Sequence, residues 1–462
     1  MMRKASGSQA RPLRSTAERL IAGRALREKT SRTSQAHWQV PDARPDPLDI
    51  LRESDQYRLP ELLPIRYGRM AKTPFTFLRG AAAIMAADLA RTPVSGLRVQ
   101  AGGDCHIMNF GAFATPERNL IFDINDFDET LPAPWEWDLK RLAASVEVAA
   151  RTADFKPKYR EDAVRAAVQS YRERMAAYAP MAALEVWYQR IDFEQLVKRI
   201  PQLDEQRRTR KSIEKARRQS VPGHLFPALA RQQHRVVRIK DDPPLIYHPT
   251  GQRKVAHHER VLHAMRGYRD SLAPAYRVLL DRYQLEDIAI KVVGVGSVGT
   301  FCAIALFMAA DDDPLILQIK EASASVLEPY AGPSAFANHG ERVVVGQRLM
   351  QSASDILLGW TTGIEPNRHF YLRQLRDMKI AMPIETAGHE DLEYFAEACG
   401  WALARAHARS GDPAMIAGYL GSREVFDDAI VEFAAAYADQ TESDYARLLK
   451  AIKAGKIKTE DA

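Results

Sequence analysis

At 462 residues, with 46% hydrophobic and 27% charged side chains, the chain has the composition of an ordinary soluble globular protein and room for two or three domains. No stretch approaches the ~20 consecutive apolar residues of a membrane-spanning helix, which excludes that class. The net charge of +6 is mild and selects no partner or oligomeric state, and three widely spaced cysteines (Cys105, Cys302, Cys399) exclude a disulfide framework and a zinc site, so a reducing cytoplasm is the expected compartment.

Residues 1–38 carry nine Lys and Arg against Glu18 and Glu28 and lack the apolar run of a secretory signal, which reads as a basic, mobile or loosely docked tail. Proline-spaced sequence from Pro41 to Pro64 is expected to wrap the surface. Phe75–Ala90 reads as one helix of small apolar residues, and Leu97–Gln100 and Leu120–Ile124 as short strands. Residues 135–200 show helical spacing of apolar positions. The basic run at 205–218, continued by Arg231, Arg235, Arg238 and Lys240, lacks the interleaved aromatics that stack bases, so it reads as a solvated helix and not a nucleic-acid surface. Asp241–Pro249 breaks helix and marks a linker or ordered loop. From about Asp287 the pattern becomes β-rich: Ile288–Val293 and Pro314–Ile319 as strands around a DDDP turn, a helix over Glu341–Leu358, a strand over Phe370–Leu375, then helices over Leu392–Arg409 and Ser422–Ala451.

Two segments carry chemistry. Gly103-Asp104-Cys105-His106-Ile107-Met108-Asn109 sets an Asp five positions before an Asn, and Phe122–Glu129 follows an apolar strand with Asp123, Asp126 and Asp128. Phosphoryl transfer needs one carboxylate to orient the nucleophile, and an amide oxygen with a second carboxylate to hold Mg²⁺ against phosphates. Asp104 is then the catalytic residue and Asn109 a metal ligand; Asp126 leads the acids, with Asp123 or Asp128 assisting. Clustered carboxylates are costly without a cation, which separates this reading from a solvated acidic turn. His106 and Cys105 have no partners at ligand spacing and read as packing residues.

Gly294, Gly296 and Gly299, with Ser297 between them, satisfy G-x-G-x-x-G, a pattern shared by dinucleotide folds, kinase phosphate loops and plain turns. Lys320 ends the next apolar run, 21 residues after Gly299, where a dinucleotide fold would place an acid. That arrangement suits a hairpin over nucleotide phosphates, with Lys320 gripping them. Glu341 is the leading candidate to steady Lys320, and Glu328 the alternative.

The stretches at 66–82 (RYGRMAKTPFTFLRGAA), 102–111 (GGDCHIMNFG), 120–145, 292–300 (VVGVGSVGT), 317–322 (LQIKEA), 371–379 and 437–446 resemble an uncharacterised, mainly bacterial family of unknown function, grouped with the protein-kinase-like, aminoglycoside-phosphotransferase-like superfamily. The resemblance implies an α+β, two-lobe kinase-like fold with a small β-rich lobe and a larger helical lobe. Kinases run glycine loop, lysine, catalytic Asp, metal Asp; here the catalytic and metal segments come first, which implies a circular permutation. Asp138 falls where such folds often keep a buried structural Asp. His407–Asp412 is a rival catalytic loop, but Ala417 stands where an Asn is needed.

The expected organisation is a basic tail over 1–38, a helical catalytic segment over 39–285, a β-rich nucleotide-binding lobe over 286–385, and helices completing the catalytic lobe over 386–462. The expected activity is ATP- and Mg²⁺-dependent phosphoryl transfer to an acceptor the sequence does not identify, with nucleotidyl transfer open. A nucleotide-binding regulatory protein without turnover and a dinucleotide enzyme are the rivals.

Overall fold

Apolar residues at three- and four-residue spacing stripe the helices Trp135–Thr152, Pro157–Tyr178, His389–Ser410 and Val425–Lys453, and these four pack on one another. Trp135 stacks on Tyr171 at 5.6 Å in their shared core. Helix Trp135–Thr152 is central: every residue from Trp135 to Ala150 is buried, including Glu136, Asp138, Lys140, Arg141 and Glu147. Charged side chains in that position need specific partners. The computed structural model describes residues 15–460, apart from 201–202, 219–225, 234–235, 251, 311–312, 366, 376–377, 379, 381, 383 and 385–386.

The protein is mixed α+β, with a larger helical part and small sheets. Strands β1 (Arg98–Ala101) and β4 (Leu131–Pro134) pair, as do β2 (Phe110–Ala114) with β3 (Leu120–Ile124) and β5 (Ala230–Gln233) with β6 (Val236–Ile239). A six-stranded antiparallel sheet is built from β7 (Ile246–Tyr247), β8 (Gln284–Lys291), β9 (Cys302–Met308), β10 (Pro314–Ala322), β11 (Gly359–Thr362) and β12 (His369–Gln374), in the order β11-β12-β10-β9-β8-β7. Period-two alternation splits β10: Leu315, Leu317 and Ile319 join one apolar cluster, while Ile316, Gln318 and Lys320 line the other face. Lys320 lies opposite Tyr371 of β12, so both side chains leave the sheet on one side. Helix His339–Met350 connects β10 to β11.

Several local expectations change in the fold. The helix expected over Phe75–Ala90 is two, Pro74–Gly80 and Ala82–Leu89. Arginines fill the break: Arg66 donates to the Gly80 carbonyl at 3.0 Å and Arg141 to that of Leu78 at 2.9 Å. The helix expected over Glu341–Leu358 stops at Met350, where Gln351 turns extended and the Ser352 N–H donates to Asp123. The Pro41–Pro64 segment contains helix Pro47–Asp55, which buries Leu51 completely.

The basic segment expected to be loose is docked from Ser15 onward; residues 1–14 lie outside the described part. Its helix Thr16–Ala25 crosses helix Pro413–Leu420 so closely that a Cβ on Gly418 would lie 2.2 Å from the Leu20 carbonyl oxygen. The positive charge is spent on the orphan carbonyls at that helix's C-terminal end: Arg27 donates to Tyr419 and Gly418 (2.8 and 2.6 Å) and Arg32 to Leu420 (2.8 Å). Gly418→Leu should unseat this helix. Limited trypsinolysis should then cleave between Arg19 and Arg32 and leave the rest intact, with a stability loss of about 1–3 kcal/mol by urea denaturation; an unchanged digestion pattern would contradict the docking.

Candidate active-site cleft

β1 ends at Ala101 and the chain turns through Gly102 and Gly103. Gly103 has φ +80°, and a Cβ there would lie 2.5 Å from the Glu129 carbonyl oxygen, so the turn requires glycine. Asp138 on the central helix fixes it, accepting from the N–H groups of Gly102 (2.6 Å) and Gly103 (2.9 Å). His407 Nε2 lies 3.1 Å from the same carboxylate, and its Nδ1 lies 2.9 Å from the Tyr171 hydroxyl. One turn further along, Arg141 donates to Asp104 Oδ1 through Nε (2.9 Å) and Nη2 (2.5 Å). Both bonds use one oxygen, which leaves Oδ2 outside the Arg141 contact, 3.8 Å from His106 Nε2. Desolvation raises Asp104 to about 6 against the opposing pull of Arg141. Asn109 donates its amide N–H to the Asp104 carbonyl at 2.7 Å, so its amide oxygen is the atom that could serve a cation.

β3 delivers the acids. Asp123 is fully buried and held by Arg405 (2.6 Å) and by the backbone and hydroxyl of Ser352 (3.0 and 3.1 Å). Asp126 and Asp128 line the cleft instead. Lys320 Nζ sits 2.5 Å from Asp128 Oδ2 and 3.9 Å from Asp126 Oδ1. Tyr371, its neighbour across the strands, donates to Asp128 Oδ1 at 2.6 Å. Burial opposes the charge on Lys320, but Asp126 and Asp128 outweigh it and hold the ammonium well above its usual range. Burial likewise opposes ionisation of Asp128, and Lys320 overcomes it, so Asp128 stays below the usual carboxylate range. Among the described residues Glu129 has no ion pair of this kind, and burial lifts it to about 7 against the pull of the Val326 N–H and Arg342.

The glycine loop closes the other side. It joins β8 to β9, so a strand and not a helix follows it. The segment before the first catalytic motif pins it: Arg69 donates to the Gly294 carbonyl (2.6 Å), Arg58 to that of Val298 (2.5 Å), and the Leu59 N–H to that of Gly299 (2.7 Å). Ser297 reaches to 3.5 Å from Asp128 Oδ2. Gly296, Ser297, Asp104, Asp126, Asp128, Arg58, Arg66 and Arg79 all border one cleft open to solvent.

Asp104, Asp126, Asp128, Lys320, Gly296 and Ser297 thus meet, with Gly294 and Gly299 at the ends of the pinned loop. Three expected residues do not join them: Asn109, tied to the Asp104 carbonyl and the Asn125 N–H, is not among those bordering the cleft, and two others turn elsewhere. Asp123, a candidate metal ligand, is consumed by Arg405 in the core. Glu341 does not reach Lys320, whose ion-pair partners among the described residues are Asp126 and Asp128. Its neighbour Arg342 turns inward instead and donates to the carbonyls of Thr130, Asp128 and Ser323. Asp412 of the rival motif caps helix Pro413–Leu420 and meets Arg19.

Among the described residues no three His, Cys, Asp or Glu converge as a self-sufficient metal cage. The donor set still fits Mg²⁺, which takes one or two hard oxygen ligands from protein and the rest from phosphate and water. Asp126, about one-third exposed on the cleft, is the candidate ligand there, with the Asn109 amide oxygen as a second candidate. Sequence reasoning missed Arg141, Arg58 and Tyr371. For Arg141 a signal existed: its i,i+3 spacing from Asp138 puts both side chains on one helix face toward the same turn.

A model of an uncharacterised protein family conserved in bacteria (DUF2252) matches residues 58–451, and the chain belongs to that family. No curated protein and no solved structure matches the chain.

Breaking a buried ion pair from one side costs about 3–5 kcal/mol. Asp123→Ala should lose that much by urea denaturation, by the same amount with and without Mg²⁺. A loss that appears only with Mg²⁺ would return Asp123 to the metal site.

Proposed function

We propose that this family member is a Mg²⁺-dependent phosphotransferase that moves the γ-phosphoryl group of ATP to an acceptor hydroxyl on a permuted kinase-like fold. The observation that carries the reading is the meeting of Lys320 with Asp126 and Asp128, almost 200 positions away, in the cleft that also holds Asp104 and the glycine loop. Topology adds support: counted from the strand before the glycine loop, Lys320 lies on the third strand, followed by a helix and two more strands. The dinucleotide alternative lacks the helix it needs directly after the glycines.

In this reading the loop amides and Lys320 hold the phosphates, and Lys320 exchanges part of its contact with Asp128 for phosphate oxygens. Mg²⁺ on Asp126 and Asn109 would neutralise charge on the β and γ phosphates. Asp104 Oδ2 takes the acceptor's hydroxyl proton while the acceptor oxygen bonds to γ-phosphorus and the bridging P–O bond breaks, releasing ADP. Arg141 fixes the orientation of Asp104. Catalysis is then mainly positioning and preorganised charge. Nucleotidyl transfer would use the same seat with the α-phosphorus attacked.

A thermal-shift titration tests the reading. Mg·ATP at about 100 times its Kd should stabilise the parent by about 2.7 kcal/mol, and Lys320→Ala and Asp126→Ala should abolish the shift. No shift at millimolar Mg·ATP refutes the proposal, and a shift without ATP consumption supports the non-catalytic rival. Asp104 must be ionised to act, so kcat/KM for ATP turnover should fall as pH drops through about 6. Arg141 favours the ionised form, so Arg141→Met should move that limb upward; an unmoved limb would remove Asp104 from the role.

A further inference from the structure

The acids around the cleft are nearly all matched to a cation of their own. Asp104 has Arg141, Asp128 has Lys320, Glu321 has Arg368 in a two-pronged pair (2.7 and 2.6 Å), and Asp55 has Arg66 at 2.9 Å. Asp55's second oxygen accepts from the Tyr67 hydroxyl at 2.6 Å. Arg58 is left over. Among the described residues its buried Nε lacks a hydrogen-bond partner, its nearest carboxylate oxygen is Asp55 Oδ1 at 3.7 Å, and the side-chain hydrogen bond it makes runs to the Val298 carbonyl. With 13% of the side chain exposed, this cation is largely desolvated, and burial lowers it to about 9. A charge so placed calls for an anion.

Arg79 borders the same cleft from the other end of the glycine loop: its carbonyl oxygen would lie 3.0 Å from a Cβ on Gly296, whereas the stem of Arg58 packs against Gly299. Its charge is felt at Asp104 and His106. Both arginines therefore approach from the segment that pins the loop, beside Asp104, whereas Lys320 approaches from the sheet. Guanidinium groups recognise the planar edges of phosphate and carboxylate.

Building on the phosphotransferase reading, we infer that Arg58 and Arg79 seat an anionic group, phosphate or carboxylate, carried by a small acceptor whose hydroxyl is presented to Asp104. The arginines are positioning and specificity residues, and uncharged alcohols are poor acceptors.

Inorganic phosphate is the probe, titrated calorimetrically into the full chain saturated with Mg·AMP-PNP, which fills the γ-phosphate position. Phosphate should bind the parent. Arg79→Gln should weaken phosphate by about tenfold or more with little change in AMP-PNP affinity, and Arg58→Gln, which also loosens the loop, should weaken phosphate by a larger factor than it weakens AMP-PNP. Arg58→Lys should recover part of the loss. Arg58 also holds the loop at Val298, so unfolding temperatures accompany each variant, and Arg79→Gln decides where Arg58→Gln is unfolded. Phosphate that binds beside Mg·ADP but not beside Mg·AMP-PNP assigns the arginines to the nucleotide and overturns the inference. Parallel loss of nucleotide and phosphate does the same, as does parent-like phosphate binding in both variants. Nucleotide binding with no phosphate binding above it overturns the anion seat alone, whereas absence of nucleotide binding sinks the phosphotransferase reading with it.

Discussion

The ion pair between Lys320 and Asp128 is the contact on which the cleft depends. It joins a six-stranded sheet to the acidic segment after β3, and both partners are largely out of water. Attraction at 2.5 Å outweighs the desolvation of each, which is why the ammonium stays charged and the carboxylate ionised. Tyr371 completes the coordination because ladder register sets it opposite Lys320. A one-residue slip of β12 would send that hydroxyl to the opposite face and leave Asp128 with half its support.

The second organising element is the central helix Trp135–Thr152, buried on all sides although it is rich in charge. Asp138 and Arg141 convert that burial into positioning: one takes the amides of the Gly102-Gly103 turn, and the other takes one oxygen of Asp104. Burial then separates acids that look alike on paper. Asp123 is locked to Arg405 and is structural, Asp128 is neutralised by Lys320, Glu129 holds a proton up to about 7, and Asp104 titrates near 6 beside a solvent-filled cleft. Different environments assign four carboxylates to different work.

The segment from Arg58 to Arg79 supplies a third constraint. It holds both ends of the glycine loop through carbonyl contacts. Arg58 both clamps the loop backbone and borders the cleft, which Arg66 and Arg79 of the same segment also line.

The sequence was most legible where the information is local. Leu120–Ile124 emerged with its bounds intact, and the helices at 389–410 and 425–453 lie close to their expected spans because apolar periodicity is written in adjacent turns. Motif spacing singled out Asp104, Asp126, Lys320 and the glycine loop, and the fold brings these together around one cleft. What spacing could not decide was whether Asp123 or Asp128 stands beside Asp126, since an Arg405 nearly three hundred positions away removes Asp123 from the cleft. Nor could it choose Asp128 over Glu341 for Lys320, because helix His339–Met350 directs Arg342 inward. The loose reading of residues 15–38 failed for a related reason: their arginines neutralise a helix end near residue 420, and composition records the charge without the partner. Residue types, periods and chemical repertoire were determined by the sequence alone. Tertiary structure decided which charges meet, because pairing energies depend on distance and desolvation, and packing sets both.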